Sequence, residues 1–463
     1  MKIRKLRLKN IGVFDDEEIE FQPGPKSDKA EIHILTGENG TGKSTILMAL
    51  AGAFHDLGKY NQSFSNALRK RFRYFEHHGE IPSDDDFSDI DNDDDDEISF
   101  SDINRAAYKS SVLLVLDNNI VSICASPLIN GLDTHTPDEK INHYRQLTSS
   151  SGRPDTLLEF GVFAYSGYRY IEAREIITAG SSEKTNPLLG SLDFVKQRNQ
   201  SNGLTINNWI ADSILKSAYE KERDPKKSEA FASAVKSLES AIAEITGWKV
   251  KFDLRTDPFD LRLKVNDEDL DFDVLPDGLR SLISWIGDLL MRVDSLKWND
   301  DLPAFEKNLI LLLDEIEVHL HPAWQRKVLP VVQKLFKNSQ IFLSTHSPFV
   351  VNSVDGALVY KLKVENGKAH AEKPILSEDG YSYSYVLEEI FGVKEDFGVS
   401  VQKRLDEFSK LRDKILENGS VEEDKRHLKE LAQDLASQSD ELNTIVQFEL
   451  RQLSKIIKEE ISL

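Results

Sequence analysis

A short segment near the N-terminus carries the residue types that bind phosphate groups. Residues 32–35 predict a buried strand, and an apolar helical pattern begins at Ile46. The glycines between this strand and this helix have a spacing that lets backbone N–H groups wrap around phosphate oxygens. A lysine there adds a positive charge, and a serine hydroxyl can bind Mg²⁺. The segment therefore predicts a P-loop that binds ATP phosphates. Its residues are Gly37, Glu38, Asn39, Gly40, Thr41, Gly42, Lys43, Ser44 and Thr45.

Two acidic residues and a histidine follow two further predicted strands. The apolar run 309–313 ends in Asp314 and Glu315, and the run that begins at residue 341 ends in His346. The carboxyl ends of parallel strands meet at one edge of a sheet, where α/β proteins bind their ligands. We therefore expect Asp314 to bind Mg²⁺ together with Ser44. Glu315 would polarise the attacking water as a general base, and His346 would sense the γ-phosphate.

Further elements must hold these groups in place. Residues 2–9 alternate charged and apolar side chains, as does the stretch around Ile19 and Phe21, which predicts an antiparallel hairpin with one buried face. Two apolar segments predict strands that return to a sheet, a long segment predicts helices, and two short segments predict a further pair of strands. In chain order these are 111–116, 157–165, 205–246, 250–254 and 261–265.

A turn upstream of the acidic pair completes a resemblance to a known class. Residues 275–280 (Leu-Pro-Asp-Gly-Leu-Arg) precede a helical pattern. With the P-loop, the acidic pair and the histidine, this segment resembles the ATP-binding-cassette ATPases. The runs 317–322 and 345–348 are similar to the AAA15/AAA21 branch of SMC-like and OLD-like heads. More narrowly, most of residues 1–395 resembles the ATPase subunit of the Septu anti-phage system and its retron-associated relatives.

The resemblance implies a signature motif that reaches across a dimer to the partner's γ-phosphate. It would contain Pro276, Asp277 and Gly278. Here proline stands where the family has serine, so the hydroxyl donor is absent and an acid follows. No glutamine occupies the family's Q-loop position in the stretch 163–169. We therefore expect ATP to bind well and to be hydrolysed slowly. His319 and His321 would lie beside the partner's nucleotide, with metal ligation as the alternative.

The resemblance also implies an organisation and a role. The fold would be an α/β P-loop ATPase head of the cassette type with an N-terminal antiparallel β unit. Its segments would be residues 1–200 and 291–395 as the two parts of the head, 201–290 as a helical insertion with the signature motif, and 396–463 as a helical interaction region. Two heads would sandwich two Mg-ATP molecules in a homodimer or higher homo-oligomer. The chain would be a sensor subunit that controls a separate HNH-type nuclease in phage defence, with DNA reached through the complex.

Composition limits the alternatives. The 463 residues hold 58 Lys and Arg against 79 Asp and Glu, a net charge of −21, which argues against a protein that coats nucleic acid. The rival function, an ATP-dependent DNA-repair clamp, would need a local basic groove. A transporter ATPase is disfavoured because the Q-loop glutamine is missing. One cysteine and no apolar run of membrane-spanning length predict a cytoplasmic chain without membrane contact.

Three segments remain open in function. The acidic run 84–97 predicts a surface insertion, because it has no apolar side to bury. Residues 69–73 (Arg-Lys-Arg-Phe-Arg) predict either a solvated helix end or a phosphate-backbone contact. Residues 421–460 predict one long helix with an apolar stripe, which either docks on its own head or forms an interface. No Asp-x-Asp pair of a Toprim nuclease follows His346, and the separate nuclease subunit is implied by the resemblance alone.

Overall fold

The computed structural model describes residues 1–25, 29–55, 111–117, 120–126, 131–135, 139–150, 152, 154–167, 186–192, 205–257, 259–378, 380–418, 422–459 and 461. These residues divide into two compact units, Met1–Val386 and Leu387–Leu463. The acidic run 84–97, the basic run 69–73 and the end of the Q-loop stretch, Tyr168 and Arg169, lie outside the described residues.

The strands of the described residues belong to three sheets in the first unit. They are β1 Ile3–Ile11, β2 Phe14–Glu20, β3 Glu31–Gly37, β4 Ser111–Leu116, β5 Ile120–Ser126, β6 Gly131–His135, β7 Gly161–Tyr165, β8 Val250–Thr256, β9 Phe259–Val265, β10 Glu268–Leu270, β11 Leu309–Leu313, β12 Gln340–Ser344, β13 Leu358–Glu365, β14 Lys368–Ala371 and β15 Ile375–Leu376.

Among the described residues, the α-helices of ten or more residues lie mainly in the second half of the chain. They are α1 Lys43–Gly52, α2 Glu139–Ser149, α3 Ile206–Glu220, α4 Pro225–Thr246, α5 Asp277–Ser295, α6 Pro322–Leu335, α7 Val399–Asn418, α8 Glu422–Ala436 and α9 Asp440–Ile457. The predicted helical segment 205–246 is two helices. Asp224 caps the second by accepting N–H bonds from its first turn, and Gly247 ends it with a φ of 77°.

The central sheet has the strand order β14-β13-β3-β12-β11-β7, with β15 beside β13. The five strands β13, β3, β12, β11 and β7 are parallel to one another, whereas β14 and β15 are antiparallel to β13. Every residue of β7, β11 and β12 is buried, as expected for parallel strands covered on both faces. The register pairs Leu313 with both Leu343 and Tyr165, so the three strands end together. The predicted α/β class is confirmed.

Two antiparallel sheets accompany the central one. The N-terminal hairpin is confirmed as β1 and β2, and the predicted strand 111–116 is β4, which joins this hairpin in the order β2-β1-β4-β5-β6. A smaller sheet has the order β10-β9-β8 and contains the two strands predicted around residues 250 and 265. It follows α4 directly and leads through a short turn into α5.

The strand predicted over 157–165 is shorter in the structure. Only Gly161–Tyr165 pairs with β11. Leu158 instead exchanges backbone hydrogen bonds with the segment after α5, donating to Lys297 O at 2.9 Å and accepting from Asn299 N at 3.1 Å. Its apolar side chain therefore marks a contact with a different segment rather than the first half of a strand.

The second unit has its own hydrophobic core, and the single long helix predicted over 421–460 is wrong. Helices α8 and α9 are separated after Ala436, and the Ser439 hydroxyl accepts the Leu442 N–H at 3.1 Å as an N-cap that starts a new helix. The apolar stripe packs inside the unit with α7. The buried core residues are Phe408, Ile415, Leu428, Ala432, Leu435, Val446, Leu450, Leu453 and Ile461.

Candidate nucleotide-binding site

The P-loop turn between β3 and α1 has the backbone conformation that its glycines permit. Gly37, Gly40 and Gly42 have φ angles of 147°, 83° and 94°. A Cβ on Gly42 would lie 2.5 Å from a ring carbon of Phe14, whereas nothing lies within 4 Å of a Cβ built on Gly40. The turn is thus tightly packed at its base and open at its tip, where Glu38 and Asn39 are also exposed.

Side chains of the P-loop brace the turn from inside. The Thr41 hydroxyl donates to Glu38 O at 2.9 Å. The Lys43 ammonium group donates to Gly37 O at 2.9 Å and to Glu38 O at 2.8 Å, so it lies over the loop that would hold the phosphates. Thr45 packs its methyl group against Gly12 of the N-terminal hairpin. The predicted phosphate-binding residues thus form one hydrogen-bonded turn.

Burial changes the titration of the P-loop lysine. Lys43 is only 7% exposed, and desolvation lowers its pKa, although the nearby carboxylates of Asp314, Glu315 and Glu317 act in the opposite direction. An ammonium group that has lost much of its hydration interacts strongly with any anion that enters. This is the electrostatic requirement for a residue that holds a phosphate oxygen.

The two residues predicted to bind Mg²⁺ are in contact. The Ser44 hydroxyl donates to Asp314 Oδ1 at 3.1 Å, across 270 positions of the chain. The Ser344 hydroxyl, at the end of β12, donates to the same carboxylate oxygen. Hydroxyl and carboxylate oxygens are hard ligands of the type that Mg²⁺ prefers, alongside water and phosphate oxygens. The donor set therefore fits magnesium.

Glu315 follows directly in a strained conformation. Its φ is 47°, in the left-handed region that non-glycine residues seldom adopt, and its backbone N–H donates to the Ser344 hydroxyl at 2.9 Å. Its carboxylate lies against the end of β7, because a Cβ on Gly167 would be 2.7 Å from Glu315 Oε2. The strained turn therefore places the carboxylate beside Asp314 at the edge of the sheet.

A carboxylate to which sequence reasoning assigned no role also belongs to this site. Glu317 Oε1 accepts the backbone N–H of His346 at 2.6 Å, which ties the loop after β11 to the loop after β12. Burial raises the pKa of Glu317, and the charge of Glu315 adds to that effect. Its position three residues after Asp314, in the run used for the resemblance, was the available signal.

The surroundings of the histidine after β12 favour its neutral form. Burial, and then the positive charge of Lys43, lower the pKa of His346, and these outweigh the opposite effect of Glu315 and Asp314. A neutral imidazole near Lys43 can donate or accept a hydrogen bond without adding charge. The geometry thus gathers the P-loop, the acidic pair and His346 at one edge of the central sheet.

The signature-like turn packs against the loop that follows β11. Pro276 is the N-cap of α5, and Asp277 forms an ion pair with Arg280 at 2.5 Å. Gly278 lies close to the loop after β11, since a Cβ there would be 2.7 Å from His319 O. The contacts found for this turn are therefore with the loop that follows the acidic strand in the same chain.

The two histidines after β11 have structural positions. His319 adopts a φ of 65°, and His321 Nδ1 accepts the Ala323 N–H at 3.2 Å, which caps α6. Within the ranges that the structure describes, no group of three or more His, Cys, Asp or Glu side chains could hold a metal ion. Among those same residues, no helix is long and apolar enough to cross a membrane.

Comparison with known proteins gives matches along most of the chain. A family model described as "AAA domain" matches residues 5–247, and a second, described as "AAA domain, putative AbiEii toxin, Type IV TA system", matches residues 183–352. The structure also aligns with a solved SMC head bound to the C-winged helix domain of ScpA, with 15% identity and a TM-score of 0.46, over 81% of this chain and 98% of that chain.

Curated relatives belong to two kinds of system. The chain is 30% identical over 223 residues to the Retron Ec83 probable ATPase of Escherichia coli, covering 48% of this chain and 39% of that protein. It is 26% identical over 405 residues to the Retron Vc95 probable ATPase of Vibrio cholerae serotype O1 biovar El Tor, covering 76% and 72%. It is 24% identical over 221 residues to Septu protein PtuA of Bacillus thuringiensis, covering 45% and 53%.

The match to the AAA domain family agrees with the P-loop of the candidate site. The chain spans less than two thirds of the length of the Ec83 ATPase and of PtuA. The AAA domain match nevertheless extends over more than half of this chain and contains the folded P-loop. The chain therefore belongs to the AAA domain family, and it is similar to Septu protein PtuA and to the probable ATPases of retrons.

Proposed function

We propose that this chain is an ATP-binding, slowly hydrolysing sensor subunit of a prokaryotic anti-phage defence complex. One observation carries the nucleotide part: Ser44 and Asp314 meet at 3.1 Å although 270 positions separate them, with Lys43 over the same loop. The defence part rests on the similarity to Septu and retron proteins. The dimer, and control of a separate HNH-type nuclease through which DNA is reached, extend that similarity to this chain.

Different residues of the site would bind different parts of Mg-ATP. Lys43 would hold a β- or γ-phosphate oxygen with its partly desolvated ammonium group. Ser44 and Asp314 would hold Mg²⁺, which neutralises part of the phosphate charge when it is bound. Gly37 to Thr45 would wrap the phosphates, and the open tip at Gly40 leaves room for them.

Two side chains would support the activation of water. Glu315 is held by its N–H bond to Ser344 and would polarise the attacking water. His346, kept neutral by burial and by Lys43, would contact the γ-phosphate without adding a second positive charge. Both side chains start from loops at the same sheet edge, so the geometry is compatible with a single reacting centre.

The signature-like turn explains why turnover would be slow. Pro276 offers neither a side-chain donor nor a backbone N–H toward the partner's nucleotide. Asp277 would repel a γ-phosphate, but its ion pair with Arg280 offsets part of that repulsion. ATP could therefore hold two heads together while hydrolysis stays slow, which suits a switch.

Substitution of the P-loop lysine tests the nucleotide part. We expect Lys43→Ala to weaken Mg-ATP binding at least about tenfold, because a charge-assisted contact to phosphate is lost. Equilibrium binding of a labelled nucleotide measures this. The control Lys368→Ala removes an exposed lysine of β14 and should bind like wild type. Equal affinity of Lys43→Ala and wild type would remove ATP binding from the proposal.

The defence part has a separate test. We expect the full chain to form a dimer or larger oligomer with Mg-ATP, and to co-elute with an HNH-type nuclease encoded beside it. Light scattering after size exclusion measures both assemblies. A chain that binds bare DNA with strong salt dependence and no nuclease would favour the repair clamp instead.

A further inference from the structure

A buried polar cluster outside the nucleotide site connects two elements that the proposed function uses. Tyr165, Asp288 and Arg292 are 6%, 5% and 9% exposed. The Tyr165 hydroxyl donates to Asp288 Oδ2 at 2.9 Å, and Arg292 Nε donates to the same oxygen at 2.7 Å. One carboxylate oxygen therefore joins a tyrosine of β7 to two turns of α5.

The arginine extends the cluster to a third segment. Arg292 Nη1 donates to Pro187 O at 2.6 Å and to Leu189 O at 3.0 Å. This segment in turn contacts β7, because Ala164 N donates to Ser191 O at 2.8 Å. Buried ionic groups with several satisfied hydrogen bonds hold their elements in one arrangement, since any shift would leave a desolvated charge unpaired.

One end of the cluster reaches the nucleotide site. Tyr165 O accepts the backbone N–H of Asp314 at 2.8 Å. Two residues later, the backbone of Gly167 lies so close to Glu315 that a Cβ would be 2.7 Å from Oε2. The tyrosine is therefore at the last residue of the strand whose continuation abuts the proposed base.

The other end of the cluster belongs to the helix that carries the signature-like turn. Asp288 and Arg292 lie on α5, which begins at Asp277 with Pro276 as its N-cap. The stretch 163–169 holds no glutamine that could couple these two regions. Tyr165 lies in that stretch, and its hydrogen bond to Asp288 joins the same two regions by a different set of atoms.

We propose that Tyr165, Asp288 and Arg292 are positioning residues that fix the end of β7, and with it Glu315, relative to α5. This inference rests on the proposed function, since it assigns the ATPase reaction a coupling between its base and its signature turn. Loss of the Tyr165 hydroxyl should lower kcat while leaving ATP affinity unchanged, because this hydroxyl bonds to Asp288, whereas the ammonium group of Lys43 bonds to carbonyl groups of the P-loop.

The chain offers a matched control for the tyrosine hydroxyl. Tyr144 is 1% exposed, and its hydroxyl both donates to Val162 O at 3.1 Å and accepts Val162 N–H at 2.8 Å. It therefore braces the same strand β7 near its beginning, away from Asp314. Tyr144→Phe removes a buried hydroxyl of α2 that bonds to β7, and Tyr165→Phe removes a buried hydroxyl that β7 itself carries, so a purely structural effect appears in both.

Steady-state ATP hydrolysis by the full chain is the first measurement. We expect Tyr165→Phe to lower kcat by about tenfold or more with KM changed by less than about twofold, since small misplacements of catalytic groups have effects of this size. Tyr144→Phe should keep kcat within about threefold of wild type. Equal losses of kcat in both variants would overturn the inference, as would an unchanged kcat in Tyr165→Phe.

A double variant tests whether the cluster acts as one unit. If Asp288→Asn breaks the same link, the variant that combines it with Tyr165→Phe should lose no more kcat than the more impaired single variant. Additive losses would show that the two side chains act independently and would contradict the proposed link.

Hydrogen exchange without nucleotide separates this inference from the proposed function. We expect faster exchange in peptides covering 163–167 and 285–292 for Tyr165→Phe than for Tyr144→Phe. Failure of the wild type to bind or hydrolyse ATP would refute the proposed function. The link between Tyr165 and α5 would then be tested by hydrogen exchange alone. A hydrolysing wild type whose two variants show the same exchange and kcat refutes the link and leaves the proposed function intact.

Discussion

At the residue scale, Asp314 is held by hydrogen bonds to three separate elements. Its Oδ1 accepts hydrogen bonds from Ser44 on α1 and from Ser344 on β12, and its backbone N–H donates to Tyr165 O on β7. Three separate elements therefore fix one carboxylate. If Asp314 binds Mg²⁺ as proposed, a carboxylate held this way would need little reorganisation when the ion arrives, which is the advantage of a preorganised site.

Glu315→Gln should separate binding from hydrolysis. We expect ATP to remain bound while kcat falls at least about a hundredfold, because an amide cannot accept the proton of the attacking water. The measurements are nucleotide affinity and steady-state turnover. Glu365→Gln, at an exposed carboxylate of β13, is the control. Turnover of Glu315→Gln at the wild-type rate would show that another group is the base.

His346 should titrate below its ordinary pKa of 6.5. Burial lowers the pKa, and Lys43 lowers it further, so the neutral form persists as the pH falls through 6.5. The NMR shift of its Cε1 proton against pH, assigned with His346→Gln, measures this. Lys43→Ala should raise the midpoint, because it removes a nearby positive charge. A midpoint at or above 6.5 in the wild type would contradict the electrostatic description.

At the element scale, the ends of three parallel strands create the site. The register pairs Leu313 with Leu343 and Tyr165, so the chain leaves β11, β12 and β7 at the same level. The loops after them carry Asp314, His346 and Gly167. A slip of one residue in any strand would reverse the alternation of its side chains and remove these contacts.

The start of α5 gives the prediction for this scale. We expect Pro276→Ser to raise steady-state ATP turnover by about tenfold, since it restores a hydroxyl and an N–H donor near the developing phosphate charge. Pro303 is a matched control, because it caps a short 3₁₀ helix with φ −56° and ψ 154°, close to the φ −55° and ψ 142° of Pro276.

The control separates catalysis from helix capping. Serine is also a better N-cap than proline, so both substitutions can add helix stability. Only Pro276→Ser should change turnover. If the wild type already turns over many times per second, or if both serine variants behave alike, the proline is not what limits the rate.

At the scale of the whole molecule, the chain forms two compact units with separate cores. The first unit contains every residue assigned above to the nucleotide site, and the second buries its apolar stripe among its own three helices. The stripe of α8 and α9 was predicted to dock on the head or to form an interface. The buried residues of this stripe pack within the second unit.

Leu450→Ala should destabilise the second unit alone. The side chain is 2% exposed in that unit's core, so we expect a loss of about 2–5 kcal/mol of unfolding free energy. Hydrogen exchange of α7, α8 and α9 with increasing denaturant measures it, and ATP affinity should not change. Gln452→Ala, at an exposed position of the same helix, is the control. Equal protection of all three helices in both variants would contradict the separate core.

Local order along the chain made the P-loop, the acidic pair and most strands predictable. A phosphate turn needs glycines, lysine and serine within nine positions, and a buried strand needs only a short apolar run, so both are visible in sequence. The same reasoning failed where an apolar pattern along the chain did not correspond to a single strand or helix. Leu158 bonds to another segment rather than to β11, and Ser439 starts a new helix within an apparently continuous stripe.

The contacts across long separations were decided only by the tertiary structure. Nothing in the spacing shows that Glu317 accepts the His346 N–H, or that Tyr165 donates to Asp288 across 123 positions. Such contacts depend on strand order and register, which are set by how distant apolar surfaces pack together. The sequence by itself determined which groups could bind ATP. The packed sheet determined which groups meet, because proximity between distant residues exists only after the core has formed.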